Sequence, residues 1–61
     1  MEVLLNGDAL AIEKDFSIAQ LVKKLELEGK FAIELNQHII PRSEYPNTIL
    51  NAGDTIEIVQ A

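Results

Sequence analysis

The chain has 61 residues, enough for one small domain over 1–61 and too few for a cleft between two lobes. Ten acidic against five basic residues give a formal net charge of −5, and there is no cysteine. This balance argues against nucleic-acid binding, which relies on Lys and Arg to displace counterions from phosphate. The absence of cysteine rules out disulfides, Cys-ligated zinc and a thiol nucleophile within these residues.

Residues 1–6, MEVLLN, alternate as a strand, with Met1, Val3 and Leu5 on one face and Glu2 and Leu4 on the other. Asn6-Gly7-Asp8 is a turn signal, because Asn and Gly tolerate positive φ. Residues 9–13 return as a second strand, with Leu10 and Ile12 together. The period then changes. Ser17 and Gln20 have the spacing of a capping box, and Phe16 before the cap is placed to staple onto Leu21. Ile18, Leu21, Val22 and Leu25 form one apolar stripe, Lys23 and Lys24 suit the later turns, and Gly29 offers a stop. A helix is expected over about 17–27.

Residues 31–35, FAIEL, form a third strand with Phe31, Ile33 and Leu35 alternating. Asn36-Gln37 turns the chain into a short extended piece, His38-Ile39-Ile40, which Pro41 ends. Residues 42–50 are expected to be irregular, with Pro46 excluding a long helix. After a turn at 51–54, Thr55 to Val59 is a β-branched last strand, with Ile56 and Ile58 facing one way and Thr55, Glu57 and Val59 the other. The expected core is Ile18, Leu21, Val22, Leu25, Phe31, Ile33, Leu35, Ile56 and Ile58. The economical fold for this order is α+β: a mixed sheet of four or five strands with one helix on one face, the β-grasp or ubiquitin-like roll.

Catalytic groups are scarce. His38 is the only histidine, and a lone histidine beside a short strand is ordinarily a surface residue. No HExxH, GxSxG or P-loop spacing occurs. A single sheet with one helix gives little enclosure for a carboxylate pair. The chain is not expected to be an enzyme, nor to bind a metal or cofactor of its own. Met1 is followed at once by Glu2 with no leader pattern, and the apolar runs are far short of a membrane span, so a cytoplasmic location without membrane contact is expected.

The stretch FAIELNQHIIPRSEY at 31–45, with VLLNGDAL at the start and NAGDTIEIV at 51–59, resembles the ThiS family, the sulfur carriers of thiamin thiazole biosynthesis. The ELN…PRS block is the more specific part, and the turns alone would be weak. The resemblance implies a carrier with a flexible C-terminal Gly-Gly. A partner resembling ubiquitin-activating enzymes would adenylate the terminal carboxylate with ATP. Sulfur transfer would give a thiocarboxylate, delivered to thiazole synthase. Residues 56–61, IEIVQA, contain no glycine. Two expectations therefore stand: a sequence that continues past Ala61 to Gly-Gly, which is preferred, or a tailless ubiquitin-like interaction module. The small-subunit carrier of molybdopterin synthase is a related alternative that the ELN…PRS block fits less well.

Leu4, Ala32, Glu34 and Val59 are expected on the sheet face away from the helix, as a partly apolar, acidic patch where ubiquitin-like folds meet partners. The plainer reading is scattered surface hydrophobes. Arg42 is a further candidate for pairing with an acidic partner residue, against the plainer reading that it bonds to nearby carbonyls. Asn36 and Pro41 share the resemblance and suit structural roles in a turn and at a strand end. A monomer is expected, with a homodimer through the Leu4 patch as the alternative.

Overall fold

A computed structural model describes residues 1–60. Strands β1 (Glu2–Leu5) and β2 (Asp8–Ala11) form the N-terminal hairpin. Helix α1 (Ile18–Lys24) follows, then β3 (Phe31–Leu35), β4 (His38–Ile39), a 3₁₀ helix (Arg42–Asn47) and β5 (Thr55–Gln60). The sheet order is β2-β1-β5-β3-β4. Only β1 and β5 are parallel, with Leu4 opposite Thr55 and Leu5 opposite Ile56. Every other neighbouring pair is antiparallel. Strands β2 and β3 therefore run the same way on opposite sides of the β1–β5 pair. The chain between them must cross one face, and α1 is that crossover.

Both hairpins turn through two residues of positive φ, the geometry that matches the twist of the flanking strands. In the first, Asn6 and Gly7 have φ of 48° and 88°. In the second, Asn36 and Gln37 have 49° and 71°. The helix starts as the sequence specifies. The Ser17 N–H donates to Gln20 Oε1 at 2.8 Å, and the Gln20 N–H donates to Ser17 Oγ at 3.1 Å.

The helix ends earlier than expected, at Lys24 rather than near residue 27. The Glu26 N–H donates to the Lys23 carbonyl and the Leu27 N–H to the Val22 carbonyl, both at 3.1 Å. This pair of bonds is a Schellman motif, and it puts Glu26 in the left-handed region at φ 53°. The stop thus falls on a glutamate three residues before Gly29. The paired hydrogen bonds hold the turn without a glycine, and Leu27 just after it is partly buried.

The core lies between α1 and the inner sheet face. Val3, Ile18, Leu21, Ile33, Leu50 and Ile56 are almost wholly buried, with Ile12 and Tyr45 close behind. Val22, Leu25, Phe31, Leu35 and Ile58 pack around them, half-buried. The segment expected to be irregular proves partly ordered and partly core. Its 3₁₀ helix turns Tyr45 inward, and residues 48–50 pair with the start of α1. There the Ile18 N–H donates to the Thr48 carbonyl at 2.9 Å and the Leu50 N–H to the Phe16 carbonyl at 2.8 Å. This pairing closes the end of the core that the seven-residue helix leaves open.

Glu26→Gly should stabilise the protein by up to about 1 kcal/mol, because a left-handed backbone costs an L-residue roughly 1–2 kcal/mol and glycine's unfolded-state entropy returns part of that gain. Urea unfolding measures it. A loss of stability would show that Glu26 makes a compensating interaction. Leu21→Ala, wholly inside the core, should cost about 2–5 kcal/mol and leave so small a domain largely unfolded.

Candidate functional site

One helix covers one face of the sheet, and none of the described residues covers the other. Its composition follows from strand alternation. On β5 it receives Thr55, Glu57 and Val59, on β3 Ala32 and Glu34, on β1 Glu2 and Leu4, on β2 Ala9, and on edge strand β4 Ile39. Register sorts these residues into rows. Leu4 lies between Ala9 and Thr55. Glu34 lies between Glu57 and Ile39, and Ala32 is opposite Val59. Leu4 is 43% exposed, Val59 60% and Ile39 71%.

The expected patch is therefore two apolar spots and not one. Ala32 and Val59 are direct partners across the β3–β5 ladder. Leu4 sits by Thr55, four residues and about 13 Å back along β5. Glu34 and Glu57 occupy the row between the two spots. Arg42 is elsewhere: its guanidinium stacks 4.4 Å from the Phe31 ring centre and donates to the Gly29 carbonyl at 3.1 Å. Phe31 in turn stacks on Tyr45, with ring centres 6.4 Å apart, and is opposite Gln60 in the register. Arg42 thus ties the 3₁₀ helix to the segment entering β3 at the place where β5 ends. A shallow depression of about 270 Å³, lined by Lys30, Phe31, Ala32, Val59 and Gln60, marks that end of the sheet.

Two residues absent from the expected patch belong to it. Ile39 is more exposed than any other large apolar side chain described, and Glu57 opposes Glu34. Glu57 was legible from the alternation of 55–59. Ile39 was not, because a two-residue strand has no period to read.

Asn36, Asp54 and Asn6 hold this face in register. Asn36 Nδ2 donates to Asp54 Oδ1 at 3.0 Å, while Asn36 Oδ1 accepts from the Thr55 N–H at 2.9 Å. Asp54 Oδ2 accepts from the Asn51 N–H at 2.7 Å. At the other flank, Asn6 Oδ1 accepts from the Ile58 N–H at 2.9 Å. These side chains fasten both hairpin turns to β5. Among the described residues no three His, Asp or Glu side chains gather as a metal site, and no helix is long and apolar enough to cross a membrane.

The strand order, the single crossover helix and the bare outer face define a β-grasp protein of the ubiquitin-like kind. The chain belongs to the ThiS family, whose model matches residues 3–61. Among solved structures it is similar to the thiamine biosynthesis protein (ThiS) of Geobacter metallireducens, with a TM-score of 0.89 at 20% identity, over 100% of this chain and 94% of that one. A curated relative, a thiazole synthase of Paramagnetospirillum magneticum, is 32% identical over 60 residues. That match takes in 97% of this chain but only 18% of the relative's length.

Asn36→Ala should cost about 1–3 kcal/mol, from two lost hydrogen bonds and a strained left-handed turn. Asn36→Gly should recover the backbone share only. Chemical denaturation of both variants separates the two contributions, and a cost below about 0.5 kcal/mol for the alanine variant would mean that the Asn36–Asp54 pair does not hold β5.

Proposed function

We propose that this chain acts as a sulfur carrier in formation of the thiamin thiazole, a co-substrate of enzymes and not a catalyst. The match of residues 3–61 to the ThiS family is the observation that supports this most directly. In this reading a terminal glycine carboxylate, outside residues 1–61, attacks the α-phosphate of ATP held by an adenylating enzyme. An acyl adenylate forms and pyrophosphate leaves. A sulfur nucleophile then displaces AMP, which leaves a thiocarboxylate. The ATP belongs to the enzyme, and the carrier needs no bound cofactor. Glycine suits the reacting end because it has no side chain to obstruct a narrow channel.

The domain's share is recognition. A firm sheet with a bare, partly apolar face gives an enzyme something to grip, and the end of β5 sets where the following chain emerges. The resemblance to a protein named thiazole synthase favours such an enzyme as the sulfur acceptor. The cytoplasm, where ATP is available, is the compartment this chemistry requires.

The protein made from its own gene should gain one sulfur-for-oxygen exchange in intact mass when incubated with ATP, the adenylating enzyme of the same organism and a sulfur donor. An unchanged mass, with an active enzyme present, would contradict the carrier reading and leave a binding module. Leu4→Asp should leave the fold intact and weaken binding to the adenylating enzyme or to thiazole synthase. Unchanged affinity for both would remove Leu4 from the contact surface.

A further inference from the structure

The turn at Asn6-Gly7 joins β1 to β2, and its chemistry takes no part in the carrier reading. Asn6 is the one asparagine in the sequence followed by glycine. Asn36, Asn47 and Asn51 are followed by Gln37, Thr48 and Ala52. That difference is chemical. A backbone nitrogen can attack the side-chain carbonyl carbon of an asparagine just before it, and glycine, with no side chain, leaves its nitrogen the least hindered. The new N–Cγ bond closes a five-membered succinimide ring. The Cγ–Nδ2 bond breaks, and ammonia leaves with the proton lost from the Gly7 nitrogen. Water then opens the ring at either carbonyl. One product is aspartate. The other is isoaspartate, whose main chain runs through the former side chain and is one methylene longer. Water is the only co-reactant, and Asn6 and Gly7 are both exposed to it.

The folded backbone opposes the first step. With φ of 48° and 88°, Asn6 and Gly7 have the two positive values of a type I′ turn. The first residue of such a turn has ψ of about +30°. At that angle the Gly7 nitrogen nearly eclipses the nitrogen of Asn6 and points away from Cβ, whereas ring closure needs it beside Cβ. Strand β5 holds Asn6 at both ends. The Asn6 N–H donates to the Ile56 carbonyl at 2.9 Å, and Asn6 Oδ1 accepts from the Ile58 N–H at 2.9 Å. The side-chain oxygen thus stands where a backbone carbonyl would continue the parallel β1–β5 ladder. Turning Cγ toward Gly7 breaks the bond to Ile58, and rotating ψ breaks the Leu5–Asp8 pairing that the turn closes.

We propose that Asn6-Gly7 is a site of spontaneous deamidation that the docked β5 strand keeps closed, so that the reaction marks molecules whose β1–β5 pairing has opened. The isoaspartyl product lengthens a two-residue turn by one main-chain atom and displaces the acceptor of the Ile58 N–H. β5 then loses a clasp near its end, and no step of the reaction restores the amide.

The test incubates the whole protein in mildly alkaline buffer across its urea unfolding transition. The peptide containing Asn6 is followed by the mass change of an NH2-to-OH exchange, and electron-transfer fragmentation distinguishes aspartate from isoaspartate. Asn6 should react at least about tenfold faster in the unfolded chain than in the folded protein, with Asn36, Asn47 and Asn51 slower in the unfolded chain. Asn36→Ala, which loosens β5 from the other hairpin, should raise the Asn6 rate without urea by about 5–30-fold. The purified isoaspartyl form should unfold at lower urea than the unmodified protein. A rate unchanged through the unfolding transition, or an unfolded Asn6 no faster than Asn51, would overturn the proposal. So would an Asn36→Ala variant that is less stable yet deamidates at the wild-type rate, because opening of the turn alone would then control the reaction. An isoaspartyl form as stable as the unmodified protein would overturn the loss of the β5 clasp.

Discussion

A sheet with a single helix can cover only one of its faces, and the rest of this molecule follows from that constraint. The apolar stripe of α1 needs one apolar sheet face, and Val3, Ile33 and Ile56 supply its centre. Seven helical residues cannot roof five strands. The 3₁₀ helix and residues 48–50 complete the roof, bringing Tyr45 and Leu50 into the core. None of the described residues crosses the outer face. Its composition is then free of packing demands, and a mixture of apolar and acidic side chains there is open to selection by what it touches.

That bare face is useful only if it is held firmly. The central strand β5 is the last to be made and must insert between β1 and β3, so its register is set by contacts distant in sequence. Backbone ladders supply most of them. Asn36, Asp54 and Asn6 supply the remainder, each bonding β5 or the turn just before it. The two asparagines also occupy left-handed positions in the hairpin turns. The same residue type that makes each turn therefore locks it to the middle of the sheet. Arg42 performs a comparable task at the far end, bridging Phe31 and the Gly29 carbonyl where β5 stops.

Much of this was legible in the sequence. The alternation in 31–35 and 55–59, the capping box at Ser17 and the Asn-Gly turn each rest on local chemistry, and the structure keeps them in place. The helix end was less legible, because the Schellman bonds close on a left-handed glutamate, a position where glycine is the usual signal, and Gly29 was a misleading local signal. The role of 42–50 was hidden for a similar reason: a 3₁₀ helix with a proline inside carries no clear hydrophobic period, so Tyr45 and Leu50 read as loop. On the outer face, alternation placed Leu4, Ala32, Glu34 and Val59 on the right side of the sheet. It did not give the register, which separates Leu4 from Val59 and opposes Glu34 to Glu57.

In the proposed carrier role the folded domain is a grip, the chemistry takes place on a chain end held in an enzyme, and that enzyme meets the outer sheet face and not the helix. The direct test is an NMR titration of the isotope-labelled protein with thiazole synthase of the same organism, following every backbone amide. The account predicts changes concentrated on Leu4, Ala32, Glu34, Ile39, Glu57 and Val59, with Ile18–Lys24 undisturbed. Changes concentrated on the helix, with the outer face silent, would contradict it.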